Sequence, residues 1–421
     1  LKCNTKSMTT TISLCLIAKN ESANLPRLLE SVREAVDEIV LVDTGSTDDT
    51  VSIAQRYGAK VLRREWKDDF AAAKNAALAH AHGDWILHLD ADMALTPDQP
   101  RKIREAVDSG KSGAYFLVVD SPSGEGQVER VTHPWLFKNL PGARFTGAVH
   151  EQIEPQLRAA GLVPIPTDIV VQHFGYATEA GRRARAERDV KILQSRLQAG
   201  ETAFEIHFYL GRAYRGLERH AEAVKELRQC LVAPDIQRQR RIEVQCFLAD
   251  SLLTLGDGAS ALTITDECIR SFPDSRTVWI RAGKAYTTLK QYHRAVSALN
   301  RALAIPPGAD IESGLVEVGN EVIENMLGIV YAEQKHWAQA AHYFRRAISG
   351  GLHLPRIYCN LGRAEMQNSN PSESERAYLA ALQLDPQCVE AHTQLGLLYA
   401  ASQQYEAAVQ HLDQAIAGGA Q

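Results

Sequence analysis

The run Leu87-His-Leu-Asp-Ala-Asp92 closes an apolar stretch with two carboxylates, Asp90 and Asp92, two residues apart. If a strand continues through both, side chains at i and i+2 leave the same face and the two acids converge beyond its end. Converging hard oxygen donors suit Mg²⁺ or Mn²⁺, with water and a substrate's phosphates completing the shell. The same pattern also describes a solvated turn, and Thr96-Pro97 follows closely. What the acids can do therefore depends on the elements that carry them.

Residues 11–120 alternate strand and helix signals. Ile12–Ala18 reads as a strand, Leu25–Ala35 as a helix, Glu38–Val42 as a strand and Asp48–Tyr57 as a helix. Lys60–Leu62 is a short strand, Asp69–His82 an Ala-rich helix, and Trp85–Leu89 the strand leading to the acids. Strands separated by helices predict βαβ units and a largely parallel sheet. Ligands of such sheets sit beyond the carboxyl ends of the strands. Polar residues gather there: Lys19-Asn20-Glu21, Asp43-Thr44-Gly45-Ser46, and Asp90 with Asp92. Ser46-x-x-Asp49 reads as a capping box for the next helix, and Asp68-Asp69 as an N-cap for the Ala-rich one.

From residue 201 the pattern becomes helical and repetitive. Aligning Leu-Gly-Arg-Ala-Tyr (210–214) along the chain places Gly211, Ala249, Gly283, Gly328, Gly362 and Gly396 in one column, with 34-residue steps at 249–283, 328–362 and 362–396. Small residues follow at Ala223, Ala295, Ala340 and Ala408, and larger ones at Leu227, Leu299, Phe344 and Leu412. The small positions allow close helix approach, and the large ones fill the layer between helices. This period predicts about six helix-pair repeats. The long 283–328 step contains Pro306-Pro307-Gly308, so an extra loop or short helix is expected there. The last repeat ends at Ala-Gly-Gly-Ala-Gln without a polar capping helix, which raises the expectation of a homodimer through the repeats.

Composition excludes several classes. The 421 residues are 45% hydrophobic and 23% charged, with 46 Lys+Arg against 51 Asp+Glu. Such an acidic balance offers no basic surface for nucleic acid. No apolar run approaches the ~20 residues of a membrane span, and residues 1–10 read as a disordered tail without a signal sequence. Seven scattered cysteines without a Cys-x-x-Cys pair read as reduced, mostly buried thiols of a cytoplasmic protein. The basic run Arg182-Arg183-Ala184-Arg185 adjoins Glu187 and Asp189, which predicts a solvated helix face.

The ordered set Ile39-Val-Leu-Val-Asp43-Thr-Gly-Ser-Thr-Asp-Asp-Thr50, Ala73-Lys74-Asn75-Ala76 and Leu89-Asp-Ala-Asp92 resembles the inverting glycosyltransferases of family 2, which have the GT-A fold. The resemblance covers roughly residues 11–175. With the repeats attached, the chain is similar to the subgroup that joins such a domain to tetratricopeptide repeats, which includes peptide S-glycosyltransferases. It implies an α/β GT-A domain at 11–178, a linker helix at 179–200 and a tetratricopeptide solenoid at 201–421. It also implies that Ala18, Asn20, Glu21 and Asp43 hold the nucleotide. Lys74 and Asn75 would lie near the diphosphate, with Asp90 and Ala91 against the nucleotide sugar. Asp90, Asp92 and His173, the last in Val-Val-Gln-His-Phe-Gly-Tyr (170–176), would ligate Mn²⁺ or Mg²⁺. In Phe145-Thr-Gly-Ala-Val-His-Glu151 the resemblance points to Glu151 as the base, with His150 orienting it; Glu154 and Asp168 compete for the role. Met93 stands where many relatives carry Glu, and the wider family's Glu-Asp base motif is missing.

The expected activity is metal-dependent, inverting transfer of a sugar from a nucleotide-sugar donor, UDP-linked by the resemblance, to a protein or peptide side chain recruited by the repeats. Two other readings stay open: a transferase of cell-surface polysaccharide synthesis with the repeats used for assembly, and a non-catalytic scaffold that only binds nucleotide.

Overall fold

A computed structural model describes residues 10–123, 127–175, 179–201, 203–233, 236–307 and 318–419. Residues 1–9 of the tail expected at 1–10, Tyr176 and most of the extra segment after Pro307 lie outside these residues. The chain forms two compact units that divide in sequence at residues 234–235. Among the described residues no helix is long and apolar enough to cross a membrane. The six described cysteines are free thiols, and five are buried.

The first unit holds strands β1 (Ile12–Ala18), β2 (Glu38–Asp43), β3 (Lys60–Arg63), β4 (Trp85–His88), β5 (Met93–Leu95), β6 (Ala114–Ser123), β7 (Gln127–Lys138) and β8 (Ile165–His173). Its helices are α1 (Leu25–Val32), α2 (Thr50–Arg56), α3 (Phe70–Leu78), α4 (Gln99–Asp108), α5 (Glu154–Ala159), α6 (Glu179–Gln198), α7 (Phe204–Gly216) and α8 (His220–Cys230). The eight strands form one sheet in the order β3-β2-β1-β4-β7-β6-β8-β5. β3, β2, β1 and β4 are parallel, because each helical connection returns the chain to the same end of the sheet. β7 then joins β4 antiparallel.

Both faces of the parallel half are covered. Leu14, Leu16 and Leu41 pack with Leu25 and Leu28 on one side; Cys15, Val40, Val42 and Ile86 pack with Ala73 and Ala77 on the other. Burial on both faces explains why these strands are apolar runs without alternation. It also leaves only their carboxyl ends for polar work.

Two local expectations change. β4 stops at His88, so Asp90 and Asp92 do not leave one strand face. They sit on a turn in which Met93 N–H donates to Asp90 O at 3.1 Å, because β5 starts at Met93 to pair antiparallel with β8. Ser46 does not cap α2 either. Asp48 accepts from Thr50 N–H at 3.0 Å, while Ser46 Oγ accepts from Asn20 N–H at 2.9 Å. Asp69 does cap α3, accepting from Ala72 N–H at 2.8 Å.

The second unit is helical: α9 (Arg238–Thr254), α10 (Gly258–Ser271), α11 (Arg276–Thr288), α12 (Tyr292–Ala304), α13 (Asn320–Glu333), α14 (Trp337–Ser349), α15 (Pro355–Gln367), α16 (Pro371–Leu384), α17 (Val389–Ala401) and α18 (Tyr405–Ala417). The remaining repeat pair, α7 with α8, folds within the first unit. The glycine column has a steric cause. A Cβ at Gly283, Gly328, Gly362 or Gly396 would lie 2.5, 2.6, 2.8 or 2.6 Å from Leu299, Phe344, Tyr378 or Leu412. Each pair turns through a left-handed residue seven places after the column: Glu218, Gly256, Lys290, Lys335, Ser369 and Gln403. The next residue's N–H reaches back into the first helix, as in Gln291 N–H to Tyr286 O at 2.8 Å, a Schellman closure.

This packing predicts that Gly328→Val destabilises the chain by about 2 kcal/mol or more, because buried Phe344 has nowhere to retreat. Chemical denaturation of the helical signal measures it, and an unchanged midpoint would contradict the close-approach reading.

Candidate functional site

The site forms at the carboxyl ends of β1, β2 and β4, where the loops are laced together. Asn20, held at φ 56°, accepts through Oδ1 from Thr47 N–H at 2.8 Å. Glu21 N–H donates to Thr50 Oγ1 at 2.7 Å, and Ser22 N–H to Asp48 Oδ2 at 3.1 Å. Ala18 O accepts from Thr44 N–H at 3.0 Å, and buried Asp43 accepts through Oδ1 from Ser46 N–H at 3.1 Å. Ala18, Asn20, Glu21 and Asp43 thus share one rim. Burial pushes the Glu21 carboxyl above its ordinary range; Asn24, donating at 2.9 Å, lowers it, and the Asp92, Asp90 and Asp48 charges raise it further.

Lys74 occupies the centre. Its side chain is 4% exposed, and its ammonium lies 3.5 Å from Asp90 Oδ1 and in direct contact with Glu151 Oε1. Burial disfavours the charge, but Asp90 and Glu151 outweigh it and raise the Lys74 pKa. Burial opposes the Asp90 charge too, yet the Lys74 ammonium holds that carboxyl well below its ordinary range. Lys74 Nζ also lies 5.9 Å from the centre of the Trp135 ring and 5.4 Å from that of Phe145. His133 stacks flat on Trp135, with centroids 4.2 Å apart. His88 donates from Nδ1 to Cys15 O at 2.9 Å, and its Nε2 lies 3.7 Å from Asp90 Oδ1. Burial and then the Lys74 charge bring His88 down to about 3 and His133 to about 4, so both imidazoles are neutral.

Asp92 faces a different group. Its Oδ2 lies 3.3 Å from His173 Nε2 and 3.7 Å from Arg185 Nη2. The pairing of Met93 with His173 across β5 and β8 creates this meeting. Gly175 permits it, since a Cβ there would sit 1.9 Å from Asp92 Oδ2. Among the described residues, no three His, Cys, Asp or Glu side chains are grouped to hold a metal. Asp90, expected as a third ligand, turns to Lys74 and His88 instead. Asp92 and His173 do fit one ion, because neighbouring donors of a six-coordinate Mg²⁺ or Mn²⁺ lie about 3 Å apart. Ser121 Oγ, 3.2 Å from His173 Nδ1, can orient the ring. Ala91 packs into the core between the two acids.

The loop that presents Glu151 is clamped from three sides. Asn75, expected near the diphosphate, has its amide committed elsewhere: Oδ1 accepts from Phe145 N–H at 2.8 Å and Nδ2 donates to Phe145 O at 3.0 Å. Phe70 N–H donates to Ala148 O at 2.9 Å. His150, at φ 53°, stacks on Tyr209 of α7 at 4.2 Å and lies 3.7 Å from buried Asp189 of α6. Gln152 donates to the Tyr209 hydroxyl at 3.2 Å. The rival acids are placed elsewhere: Glu154 accepts from Arg158 at 2.8 Å, and Asp168 pairs with Lys102 at 2.7 Å with its side chain 82% exposed.

Sequence reasoning missed His88, His133, Trp135, Tyr209, Asp189 and Arg185. The residues 182–185 expected on a solvated face include one, Arg185, that reaches Asp92. Its only sequence signal was a helical spacing whose facing side could not be assigned.

Residues 13–175 match the family model described as glycosyl transferase family 2. Tetratricopeptide repeat models match residues 204–231, 248–310 and 359–421. The chain therefore carries a family 2 glycosyltransferase domain followed by tetratricopeptide repeats. It is similar to a TPR repeat-containing protein of Synechococcus elongatus, 39% identical over 192 residues, which are 44% of this chain and 47% of the relative. It is also similar to the SPbeta prophage-derived glycosyltransferase SunS of Bacillus subtilis, 26% identical over 259 residues and 59% of each chain. An uncharacterized glycosyltransferase of Rickettsia conorii is 38% identical over 111 residues, 26% of this chain and 39% of that one. The chain spans about half the length of the curated relatives it matches.

The clamp predicts that Asn75→Ala costs about 1–3 kcal/mol by stranding the Phe145 N–H, and that it loosens residues 145–152. Hydrogen exchange across that loop reads the second effect; unchanged protection would show that Asn75 does not hold it.

Proposed function

We propose that the first unit is a metal-dependent, inverting glycosyltransferase that takes its sugar from a nucleotide-sugar donor, UDP-linked, and passes it to a protein or peptide side chain brought by the repeats. One observation carries this reading. A polar rim (Asn20, Glu21, Asp43), a metal-compatible pair (Asp92, His173) and a carboxylate on a clamped loop (Glu151) gather at the carboxyl ends of the parallel strands.

Each group then has a physical task. Asp43 and Glu21 are acceptors for ribose hydroxyls or base N–H groups, which their rim position suits. Asp92 and His173 would hold the divalent ion, which neutralises charge on a departing nucleoside diphosphate. Glu151 takes the proton of the acceptor hydroxyl or thiol as that atom attacks the anomeric carbon. The bond from that carbon to the diphosphate oxygen breaks, its electron pair leaves with the diphosphate, and the configuration inverts. Lys74 fixes the position of the Glu151 carboxylate through their direct contact, and shares its ammonium with Asp90.

The repeats suit acceptor capture because stacked helix pairs present extended surfaces. In the second unit a cleft of about 760 Å³ is lined by Trp279, Tyr286, Arg270, His293 and Arg294, a mixture of aromatic and cationic groups that peptides can use. His150 and Tyr209 stack within the first unit, so a truncation that tests the repeats must keep α7.

With Mn²⁺ and a panel of nucleotide sugars, release of nucleoside diphosphate should fall about 10²–10⁴-fold in Glu151→Gln if that carboxylate is the base, and should vanish in Asp92→Ala. A Glu151→Gln enzyme as fast as the parent would remove the base assignment. Removing 235–421 should abolish transfer to polypeptide while leaving slow donor hydrolysis. Undiminished peptide transfer by the shortened chain, followed by mass spectrometry, would count against acceptor recruitment by the repeats.

A further inference from the structure

We infer that Arg185, on the helix after the family-matching domain, is the cation that grips the terminal phosphate of the donor's diphosphate. The inference rests on the glycosyltransferase reading above and assigns a residue that the matched segment, ending at residue 175, does not contain.

Helix α6 is fixed against the first unit by contacts along its length. Arg196 pairs with Asp69 at 2.9 Å, at the very residue that caps α3 and so orients Lys74. The Arg188 guanidinium lies 4.6 Å from the centre of the Phe70 ring. Val190, Ile192 and Leu193 are buried, and Asp189 faces His150. These anchors leave Arg185 little freedom in where its guanidinium goes.

It goes to the metal-compatible pair. Nη2 stands 3.7 Å from Asp92 Oδ2, beyond hydrogen-bond length, and the side chain keeps 29% exposure. A Cβ on Gly175 would lie 1.9 Å from Asp92 Oδ2 and 3.0 Å from Arg185 Nη2, so only glycine lets acid and guanidinium share this corner.

The guanidinium beside Asp92 brings a positive charge to the corner where Asp92 and His173 meet. Asp92 and His173 would hold a divalent ion, and Arg185 would then give up Asp92 as its counterion. A diphosphate arriving with the ion offers oxygens in the forked geometry that Arg matches and Lys does not. Arg185 would then stabilise charge on the leaving group as a second cation beside the ion's site. The family-matching segment supplies the metal-compatible pair, and α6 supplies the second cation.

The test uses the full chain. Calorimetry with Mn²⁺ identifies which of UDP, GDP, CDP and dTDP the parent binds, and the matching monophosphate is titrated next. Arg185→Ala should weaken the diphosphate by about tenfold or more, the loss of one charge-assisted hydrogen bond, and leave the monophosphate within about twofold. Arg185→Lys should recover part of the loss, and Arg183→Ala, paired outward with Glu187, should change neither. Without nucleotide, Mn²⁺ binding followed by electron paramagnetic resonance should tighten in Arg185→Ala, because a competing cation has gone. Unchanged diphosphate affinity in Arg185→Ala, or equal losses for mono- and diphosphate, overturns the assignment while the nucleotide-binding reading stands. A parent chain that binds none of the four diphosphates overturns that reading, and the assignment with it.

Discussion

The structure turns on one buried ammonium. Lys74 is almost fully enclosed, and such a charge is tolerated only where carboxylates answer it. Asp90 and Glu151 answer it from two segments, one on the turn after β4 and one on the loop before α5. The pairing therefore does more than neutralise. It ties the turn after β4 to the loop before α5 through one side chain whose helix start is set by Asp69. Trp135, Phe145, His133 and His88 keep water from relaxing the arrangement, and the neutrality of both imidazoles follows from the same burial.

The site also ignores the boundary that sequence matching draws. Residues up to 175 supply the sheet, the rim and the acids. Helix α6 brings Arg185 and Asp189, and the first repeat helix brings Tyr209 against His150. A loop that must present Glu151 at a left-handed neighbour such as His150 cannot hold itself. It needs outside support, and the nearest chain in sequence provides it. This is why the helix pair α7–α8, a repeat by pattern, belongs to the first unit by packing.

Much of this could be read from residue order. The apolar runs of β1, β2 and β4 and the polar residues after them predict a parallel sheet with its business end at Asn20, Asp43 and Asp90, because two-sided burial leaves no other polar outlet. The Gly328–Phe344 and Gly396–Leu412 pairs were legible as a period, since close helix packing forces small against large at fixed spacing. The left-handed turns were not, because Glu218, Lys290, Lys335, Ser369 and Gln403 adopt φ values usually given to glycine. Schellman closure and the next helix's packing impose that conformation, and side-chain identity carries no trace of it. Asn75 and Arg185 were misread for a related reason. Asn75 lies in a motif shared with relatives, yet its partners, the Phe145 N–H and C=O, are backbone groups seventy positions away. Arg185 sits among exposed arginines, and only the path of the chain through Gly175 selects it.

If one ammonium serves both acids, removing either acid still leaves it paired, whereas removing both strands a buried charge. A double-mutant cycle of Asp90→Asn with Glu151→Gln, read by chemical unfolding of the full chain, measures this directly. The double variant should lose more stability than the two single losses combined, by more than the ~0.5 kcal/mol within which independent sites add. Additivity within that margin would contradict it, and Lys74 would then be two separate contacts rather than the joint of the site.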